Sequence, residues 1–423
     1  MNLRTFVLRS RSLGACVVGV VAASTALAAA PTLRLLEPAA GDLVPARLVA
    51  APASPVLPPA GREPLSFSWK LELSAALSSP LVPLSSTSRE HWVQVTGAEL
   101  VRGVPLYTLG AGAVVRLSPA RPGGAVPDAA NLSIGDARGA RHSGLGAFES
   151  LAGSEQLAAA GMDLPAGTVA FRLRSELGAA GLTLSATAGS VAPADRFVVH
   201  VLDAGSVVEL KLTTARAAYL DGQRLAATLE AGDGRGRLAL SNVTAFVTSP
   251  AGRAWPLSFA PGTNGQLRGE LKLDAREAVA PGLWEIHTAA HGEVAGQPFR
   301  RNGRVAFAVG LPTARLSGTA EPGTSLAAGG VEVRVGVETA VAGRYELRGL
   351  LYGTDASGVL KPAAVAHAAA WLEAGPGGIT LRFEPKALAG SGLQAPYEIR
   401  QLELRDQGRM GLLEHRARGL VVE

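Results

Sequence analysis

The alternation of apolar and polar residues over short segments is the feature that most constrains the fold of this chain. At residues 331–337 valine occupies every second position, with glutamate, arginine and glycine between. Successive side chains of a β-strand point to opposite faces of a sheet, so such a segment buries one face and exposes the other. The same pattern recurs at residues 198–202, 207–212, 267–273 and 402–405. It predicts an all-β, mainly antiparallel protein.

Turn residues separate these segments at hairpin spacing. Asp221-Gly222, Asn264-Gly265 and Asn302-Gly303 supply residues that tolerate the positive φ of tight two-residue turns. Short strands with such turns between them are typical of β-sandwiches. Two segments favour helix instead, at residues 148–160 and 362–370. The long helices between strands that a doubly wound α/β fold requires are absent from the pattern.

Breaks in the strand pattern divide the chain into five segments. Residues 1–30 are a predicted signal peptide, and residues 31–64 are a Pro/Ala-rich leader or linker. Residues 65–205 form a less regular N-terminal β-rich domain. Residues 206–310 and 312–423 each have the length of an immunoglobulin-like sandwich. The predicted architecture is therefore an N-terminal β-rich domain followed by two immunoglobulin-like β-sandwich domains.

The signal-peptide prediction rests on the order of residue types. Arg4, Arg9 and Arg11 precede an apolar stretch without any acidic residue, and residues 26–30 offer the small-x-small pattern that signal peptidase recognises. The stretch is too short for a membrane span, and no later apolar stretch reaches about 18 residues. We therefore expect an exported chain, periplasmic or secreted to the medium, with no transmembrane segment once mature.

The single cysteine, Cys16, lies inside the predicted signal. Residues 13–16 look like a lipid-attachment box, but the apolar core of a lipoprotein signal precedes its cysteine, and here it follows. Cleavage would remove Cys16, which excludes disulfides, thiolate metal sites and cysteine nucleophiles from the mature chain.

The basic isoelectric point of about 9.6 does not indicate nucleic-acid binding. Removal of the three signal arginines lowers the formal net charge from +5 to +2. No run of Lys or Arg is long enough to follow a phosphate backbone. Glycine-rich stretches at residues 110–112 and 232–236 lack the following helix that would direct amide groups at a phosphate. We expect no nucleic-acid partner and no cofactor.

Residues with catalytic or metal-binding chemistry form no compact motif. His287 and His291 have a spacing that can bind zinc on a helix, but their segment alternates like a strand, which places the two side chains about 13 Å apart. Asp221, Asp233 and Asp406 fall at predicted loop ends, where carboxylates suit calcium, without an EF-hand loop to support a site. We predict no catalytic, cofactor-binding or metal-binding residue.

The five tryptophans are spread at one or two per predicted domain. That spacing favours core residues of separate sandwiches over a continuous binding face. Trp255 differs, because Arg253 and Pro256 flank it near a predicted loop. We predict that Trp255 exposes its ring and is a binding residue, since exported sandwiches often stack aromatic rings on sugars.

Three stretches together resemble a known family. They comprise residues 91–100 with 103–106 and 114–119, residues 350–355 with 370–372, and residues 396–400 with 406–410. As a set they are similar to the bacterial secreted proteins of domain-of-unknown-function family 4785. The resemblance extends over nearly all of the mature chain. It implies an exported protein with tandem immunoglobulin-like sandwiches and no established activity, and it supplies no catalytic residues.

The sequence favours a non-enzymatic exported protein that presents loops or sheet edges to a partner. That partner would be a polysaccharide or a protein of the envelope or the extracellular space. The alternative is a cryptic hydrolase with a site around His91, His142 and Glu149 in the N-terminal domain, where loops could converge. A purely structural spacer is a third possibility.

Overall fold

The computed structural model describes residues 32–50, 61–74, 77, 79, 81–124, 126–262, 265–274, 282–323 and 329–423. The predicted signal peptide, residues 31 and 51–60 of the predicted leader, and Asn264 of one predicted turn lie outside the described residues. The chain folds into three successive β-sandwiches of two sheets each. The prediction of an all-β, mainly antiparallel fold is confirmed.

The elements are numbered in chain order. The strands are β1 (Leu33–Arg34), β2 (Leu65–Lys70), β3 (Leu84–Ser88), β4 (Glu90–Thr96), β5 (Val104–Pro105), β6 (Val114–Pro119), β7 (Leu132–Gly135), β8 (Arg141–Ser143), β9 (Phe148–Ala152), β10 (Val169–Leu173), β11 (Thr183–Ala186), β12 (Arg196–Leu202), β13 (Glu209–Thr214), β14 (Ala218–Leu220), β15 (Arg224–Gly232), β16 (Arg237–Leu238), β17 (Leu240–Thr248), β18 (Ala254–Pro256), β19 (Phe259–Pro261), β20 (Leu267–Lys272), β21 (Trp284–Val294), β22 (Gln297–Gly310), β23 (Ala314–Pro322), β24 (Val331–Thr339), β25 (Gly343–Thr354), β26 (Leu360–Leu372), β27 (Gly375–Phe383), β28 (Gln394–Asp406) and β29 (Gly411–Val422). The helices are α1 (Gly97–Arg102), α2 (Ser154–Ala159) and α3 (Pro385–Leu388), with single 3₁₀ turns at Ala129–Asn131, Gly144–Gly146 and Ser175–Leu177. In the described ranges, every helix is too short or too polar to cross a membrane.

The N-terminal sandwich packs a five-stranded sheet on a four-stranded sheet. Their strand orders are β4-β12-β6-β10-β9 and β5-β11-β7-β8. Alternate residues of each strand point inward, so Val115 and Leu117 of β6 and Val199 of β12 are fully buried. The residues between them on β6 and β12 point away from this core and form part of the site described below.

The middle sandwich contains the tryptophan expected in a core. Its sheets have the orders β19-β20-β15-β13-β3, with β16 paired to β15, and β14-β22-β21-β17-β18. The pairing of β14 with β22 is parallel. Trp284 is buried, and its ring contacts Trp255 and Phe307. Core burial does not extend to every tryptophan, since Trp69 of the C-terminal sandwich is largely exposed.

The C-terminal sandwich includes strands from the beginning of the described chain. Its sheets have the orders β1-β23-β24-β27 and β2-β26-β25-β28-β29. Leu33 of β1 pairs with Ala320 of β23, and Leu65 of β2 pairs with Ala369 of β26. Leu43, from the segment predicted as a leader, is fully buried and exchanges two backbone hydrogen bonds with β29.

This arrangement differs from the predicted boundaries at three places. Strand β3, within the predicted N-terminal domain, pairs with β13 of the middle sandwich. The described part of the leader (32–50 and 61–64) packs on the C-terminal sandwich, and residues 65–70 join its sheet rather than the N-terminal domain. The physical reason is that a hydrophobic pattern shows which face a strand buries but not which distant strand it pairs with.

Both segments predicted as helical contain strand. Residues 362–370 lie in β26, between β2 and β25, which take its backbone hydrogen-bonding groups on both edges. Ala364, Ala366 and Ala368 bury their small side chains between the sheets, so burial overrides the helix propensity of alanine. Residues 148–160 divide into β9 and α2, because the Phe148 ring packs into the core of the N-terminal sandwich.

The sequence of Asn302-Gly303 predicts a turn, but in the structure both residues lie within β22. The hairpin between β21 and β22 turns at residues 295–296 instead. A Cβ atom on Gly303 would lie 2.8 Å from the Thr288 hydroxyl and 3.4 Å from a Leu210 methyl carbon. Glycine occurs here because of this close packing, whereas Asp221-Gly222 does form the expected turn between β14 and β15.

Candidate functional site

A polar cleft separates the N-terminal and middle sandwiches. We call it the interdomain cleft; its volume is about 490 Å³, within the range of small-molecule sites. One wall comes from β4, β6 and β12, and the other from β3, β21 and β22. The lining residues are Ser86, Thr87, Ser88, Glu90, Trp92, Arg116, Val198, His200, His287, Asn302 and Arg304.

Strand register brings Trp92, Arg116 and His200 together on the N-terminal wall. His200 of β12 lies opposite Trp92 of β4 on one side and Arg116 of β6 on the other. Opposite residues on one face of an antiparallel pair contact each other directly. The Trp92 and His200 rings meet edge to face, with 5.9 Å between their centroids. Three side chains that are distant in sequence therefore form one surface.

The His200 imidazole is held between a carboxylate and a guanidinium. Its Nε2 lies 2.7 Å from Glu90 Oε2, and Arg116 contacts its Nδ1. A guanidinium only donates, so Nδ1 accepts and the Nε2–H donates to Glu90. This hydrogen bond from His200 lowers the pKa of Glu90, against the opposing effect of burial, and Arg116 and Arg304 lower it further. Glu90 is therefore an ionised acceptor at the rim of the cleft.

The middle-domain wall carries a second histidine. His287 Nε2 lies 3.1 Å from Thr248 Oγ1 and 3.2 Å from Glu285 Oε2. The Phe246 ring stacks on the imidazole, with 4.9 Å between centroids. Burial lowers the pKa of His287, and Glu285 opposes that effect. Arg304, opposite His287 on β22, keeps 62% of its side chain exposed and is open to a ligand.

Buried polar contacts hold the two walls in place. Arg301 Nη2 lies 2.9 Å from Asp203 Oδ2, and both side chains are fully buried. Asp203 also accepts backbone hydrogen bonds from residues 109–110, of 2.8 and 3.0 Å. Next to this pair, the Trp92 backbone N–H donates to Asn302 Oδ1 across the domain boundary, at 3.2 Å. The cleft therefore lies between elements that are already connected to each other.

The geometry of the cleft does not activate a nucleophile. In a catalytic triad the base contacts the nucleophile through one ring nitrogen and the carboxylate through the other. Thr248 and Glu285 both contact Nε2 of His287, so they do not form such a relay. Both nitrogens of His200 are taken by Glu90 and Arg116. The arrangement suits binding of a ligand through hydrogen bonds and ring contacts.

In the described part of the chain, no three His, Cys, Asp or Glu side chains form a group that could hold a metal ion. The aspartates considered for calcium have protein partners instead. Asp406 accepts hydrogen bonds from Thr313 and Arg409. Asp233 accepts from the backbone of its own hairpin, and Asp221 lies 3.5 Å from Arg47. These three residues do not come together.

The residues of the alternative hydrolase site are also far apart. His91 is on β4, fully buried beside Tyr107, and both of its ring nitrogens lack a hydrogen-bond partner in the described structure. His142 is on β8, the edge of the opposite sheet, with its Nε2 2.9 Å from Asp136. Glu149 is exposed on β9, at the other edge of the sheet from β4. The fold does not assemble them into one site.

The structure differs from the prediction for Trp255 and agrees with the strand predicted for His287 and His291. Trp255 is half-buried, with Trp284 stacked on its ring at 4.9 Å and the Arg253 guanidinium carbon 5.2 Å from its centroid. The prediction was a freely exposed ring, but β18 packs the Trp255 ring against the core. His287 and His291 do lie on a strand, and His291 contacts Tyr107 rather than His287.

Sequence reasoning missed the residues that line the cleft. Only Glu90 and Trp92 share a strand, and no local pattern connects that strand with the strands that carry Arg116, His200 and Arg304. The usable signal is that each occupies an outward position on an alternating strand. Chemically active residue types at such positions are candidates for a shared surface once the strand register is known.

The fold and the cleft define a multidomain all-β protein built from three sandwiches. Family models for the DUF4785 N-terminal domain and the DUF4785 C-terminal domain match residues 58–203 and 313–423, together more than half of the chain. The chain belongs to this family of unknown function, which confirms the resemblance noted above.

Solved structures support the fold. The crystal structure of a DUF4785 family protein from Legionella pneumophila is 22% identical, covers 90% of this chain and 98% of its own, and has a TM-score of 0.71. Trypsin-activated α2-macroglobulin from Escherichia coli is 16% identical, covers 74% of this chain and 22% of its own, and has a TM-score of 0.20. A tandem repeat of a large adhesion protein is 12% identical, covers 74% of this chain and 68% of its own, and has a TM-score of 0.17. These two scores are too low to indicate a shared fold. No curated protein matches.

Proposed function

We propose that this chain is an exported, non-enzymatic binding protein of the bacterial envelope or secretome, with tandem immunoglobulin-like sandwiches. Its ligand is a polar molecule of small net charge, held in the interdomain cleft. One observation carries this proposal: the cleft combines the Trp92 ring with charged groups of both signs, and each charged group is already positioned by a protein partner.

The charges of the cleft support this ligand class. Arg116 and Arg304 face the carboxylates of Glu90 and Glu285, so the positive and negative groups balance. A strongly charged ligand would lose hydration without gaining a net opposite charge. A ligand with hydroxyl, amide or zwitterionic groups instead finds donors in Arg304 and acceptors in Glu90, with Trp92 beside them.

Calorimetric titration with two sets of probes, neutral disaccharides and uncharged or zwitterionic dipeptides, tests the proposal. At least one probe is expected to bind, and Trp92→Ala and Arg304→Ala should each weaken binding about tenfold or more. Trp255→Phe is the matched control, because it changes a half-buried tryptophan outside the cleft and should leave affinity unchanged.

Three results would contradict the proposal. One is that none of the probes binds the folded protein; another is that binding is insensitive to Trp92→Ala. The third is turnover of a chromogenic ester, peptide or glycoside that survives purification. Fractionation of producing cells, with N-terminal sequencing of the product, tests the export component: a mature start near Ala29 in the periplasm or medium supports it.

A further inference from the structure

The strand β2 presents its apolar side chains on the wrong face for a sandwich. Leu65, Phe67 and Trp69 point outward and are 54, 41 and 47% exposed. The residues between them, Ser66 and Ser68, point toward the interior, and Ser68 accepts a hydrogen bond from the backbone of residue 384. A sheet strand normally buries its apolar set. An exposed row of large apolar side chains on a folded protein marks an interaction site.

The exposed rings of this strand form a stacked group with a histidine of the neighbouring strand. Phe67 lies opposite His367 of β26, and their rings are parallel with 5.4 Å between centroids. Trp69 stacks on both, at 5.5 Å from Phe67 and 5.2 Å from His367, with interplanar angles below 20°. We call these three residues the aromatic platform. Parallel rings on a flat sheet give a rigid apolar surface.

A hydrogen-bonded row of polar side chains continues from the platform across the sheet. His367 Nδ1 lies 2.8 Å from Glu346 Oε1, and Gln407 Nε2 donates to Glu346 Oε2 at 3.1 Å. Further along, Arg348 donates to Glu403 at 2.7 Å. Arg348 and Arg405 both pair with Glu403. With Glu346, the row therefore carries two positive and two negative charges, and the face has little net charge. The polar groups are held at fixed positions beside the rings.

We propose that the aromatic platform and this polar row bind a chain of a neutral polysaccharide. The face of a pyranose ring carries C–H bonds that stack on aromatic rings, while its edge carries hydroxyl groups. The platform supplies the stacking surface, and Glu346, Gln407 and Arg348 supply partners for the hydroxyls. The balanced charge of the face complements an uncharged polymer. This surface is on the C-terminal sandwich and does not depend on the interdomain cleft.

Two other occupants fit the surface less well. A second copy of the chain would pair its edge strand with β2, but Pro64 precedes this strand and Lys70 is its last residue, and proline and lysine oppose pairing at sheet edges. A membrane surface would favour unpaired basic residues next to the apolar row, whereas Arg348 is already paired with Glu403.

Sedimentation with insoluble neutral glycans tests the proposal. The purified chain is mixed with cellulose, chitin, β-1,3-glucan and starch, and the fraction removed from solution is measured. We expect retention on at least one glycan, unchanged between low and high salt because the polymer carries no charge. Trp69→Ala and His367→Gln should each reduce the apparent affinity about tenfold. Leu145→Ala, which removes an exposed apolar side chain from the N-terminal sandwich, should not.

The outcomes separate this site from the cleft. Retention lost with Trp69→Ala but kept with Trp92→Ala supports the platform. Retention lost with Trp92→Ala alone assigns glycan binding to the cleft and overturns the inference. The inference is also overturned if none of the four glycans retains the folded protein. A concentration-dependent dimer that Trp69→Ala abolishes would assign the surface to a second copy of the chain. Flotation with phosphatidylglycerol vesicles that Trp69→Ala abolishes would assign it to a membrane, and either result overturns the inference. Circular dichroism of each variant verifies that it is folded.

Discussion

The carboxylate of Asp203 and the guanidinium of Arg301 form a fully buried ion pair that joins the N-terminal sandwich to the middle sandwich. Arg301 also donates to Ser206 Oγ at 2.6 Å and to the Val208 carbonyl at 3.2 Å. Burial lowers the pKa of Arg301, and the charge of Asp203 opposes this effect. Together with the Trp92–Asn302 hydrogen bond, this contact connects the two walls of the cleft.

Substitution of Arg301 by methionine should strongly destabilise the protein. The change leaves the Asp203 carboxylate buried without its partner, which typically costs about 3–5 kcal/mol. Urea unfolding followed by tryptophan fluorescence measures the loss. Arg304→Met is the matched control: it removes an exposed arginine from the same strand and should change stability by less than about 0.5 kcal/mol. Equal effects of the two changes would contradict this account.

Substitution of Gly303 by alanine tests why glycine occurs within β22. The added methyl group would lie 2.8 Å from the Thr288 hydroxyl, so we expect a loss of about 1–3 kcal/mol. Thr288→Ala in the same chain should recover part of it, because the close atom is removed. Gly236→Ala, where nothing lies within 4 Å of the new atom, should have little effect. Absence of any recovery in the double variant would exclude the close contact as the cause.

His91 should make the protein less stable at mildly acidic pH. Burial, aided by the neighbouring Arg301 and Arg300, lowers the pKa of His91 to about 3. The unfolded chain binds this proton below its ordinary pKa of about 6.5 and the folded chain does not, so stability is full above that pH and falls as the pH drops toward 3. At pH 5 the predicted loss from this residue is about 2 kcal/mol.

Urea unfolding of His91→Leu at pH 7 and pH 5 isolates this contribution. The variant should lose less stability between the two pH values than the unchanged protein, and its stability at pH 7 should be nearly preserved, because the imidazole nitrogens have no hydrogen-bond partner in the described structure. Leu145→Ala, which changes an exposed side chain without a titratable group, is the control and should retain the original pH dependence. Parallel pH profiles for all three proteins would refute the assignment.

The hydrogen bond between His200 and Glu90 can be detected without a ligand. Because this bond is the main cause of the low pKa of Glu90, His200→Ala should return that pKa toward the ordinary value. Carbon-13 NMR titration of the glutamate carboxyl resonances measures the change. His367→Ala is a matched control, since it should shift the pKa of Glu346 upward and leave Glu90 unaffected.

Alternation predicted the strands well where valine and leucine dominate, as at residues 331–337, because burying one face is a local property. It failed at residues 362–370, where alanine fits both a helix and a closely packed strand, and at Asn302-Gly303, where packing rather than a turn requires glycine. The cleft was not predictable from one sequence, since Trp92, His200 and Arg304 meet only through strand register.

Strands β1 and β2, near the beginning of the described chain, share one sandwich with β23–β29, near its end, and this affects how the protein is made. On the ribosome, β1 and β2 emerge early, but β23 and β26, with which they pair, emerge late. The sandwich cannot close until synthesis is almost complete, and its long-range pairing makes closure slow. The newly made chain therefore keeps an unfinished domain until its last strands are made, a state that suits the export proposed above.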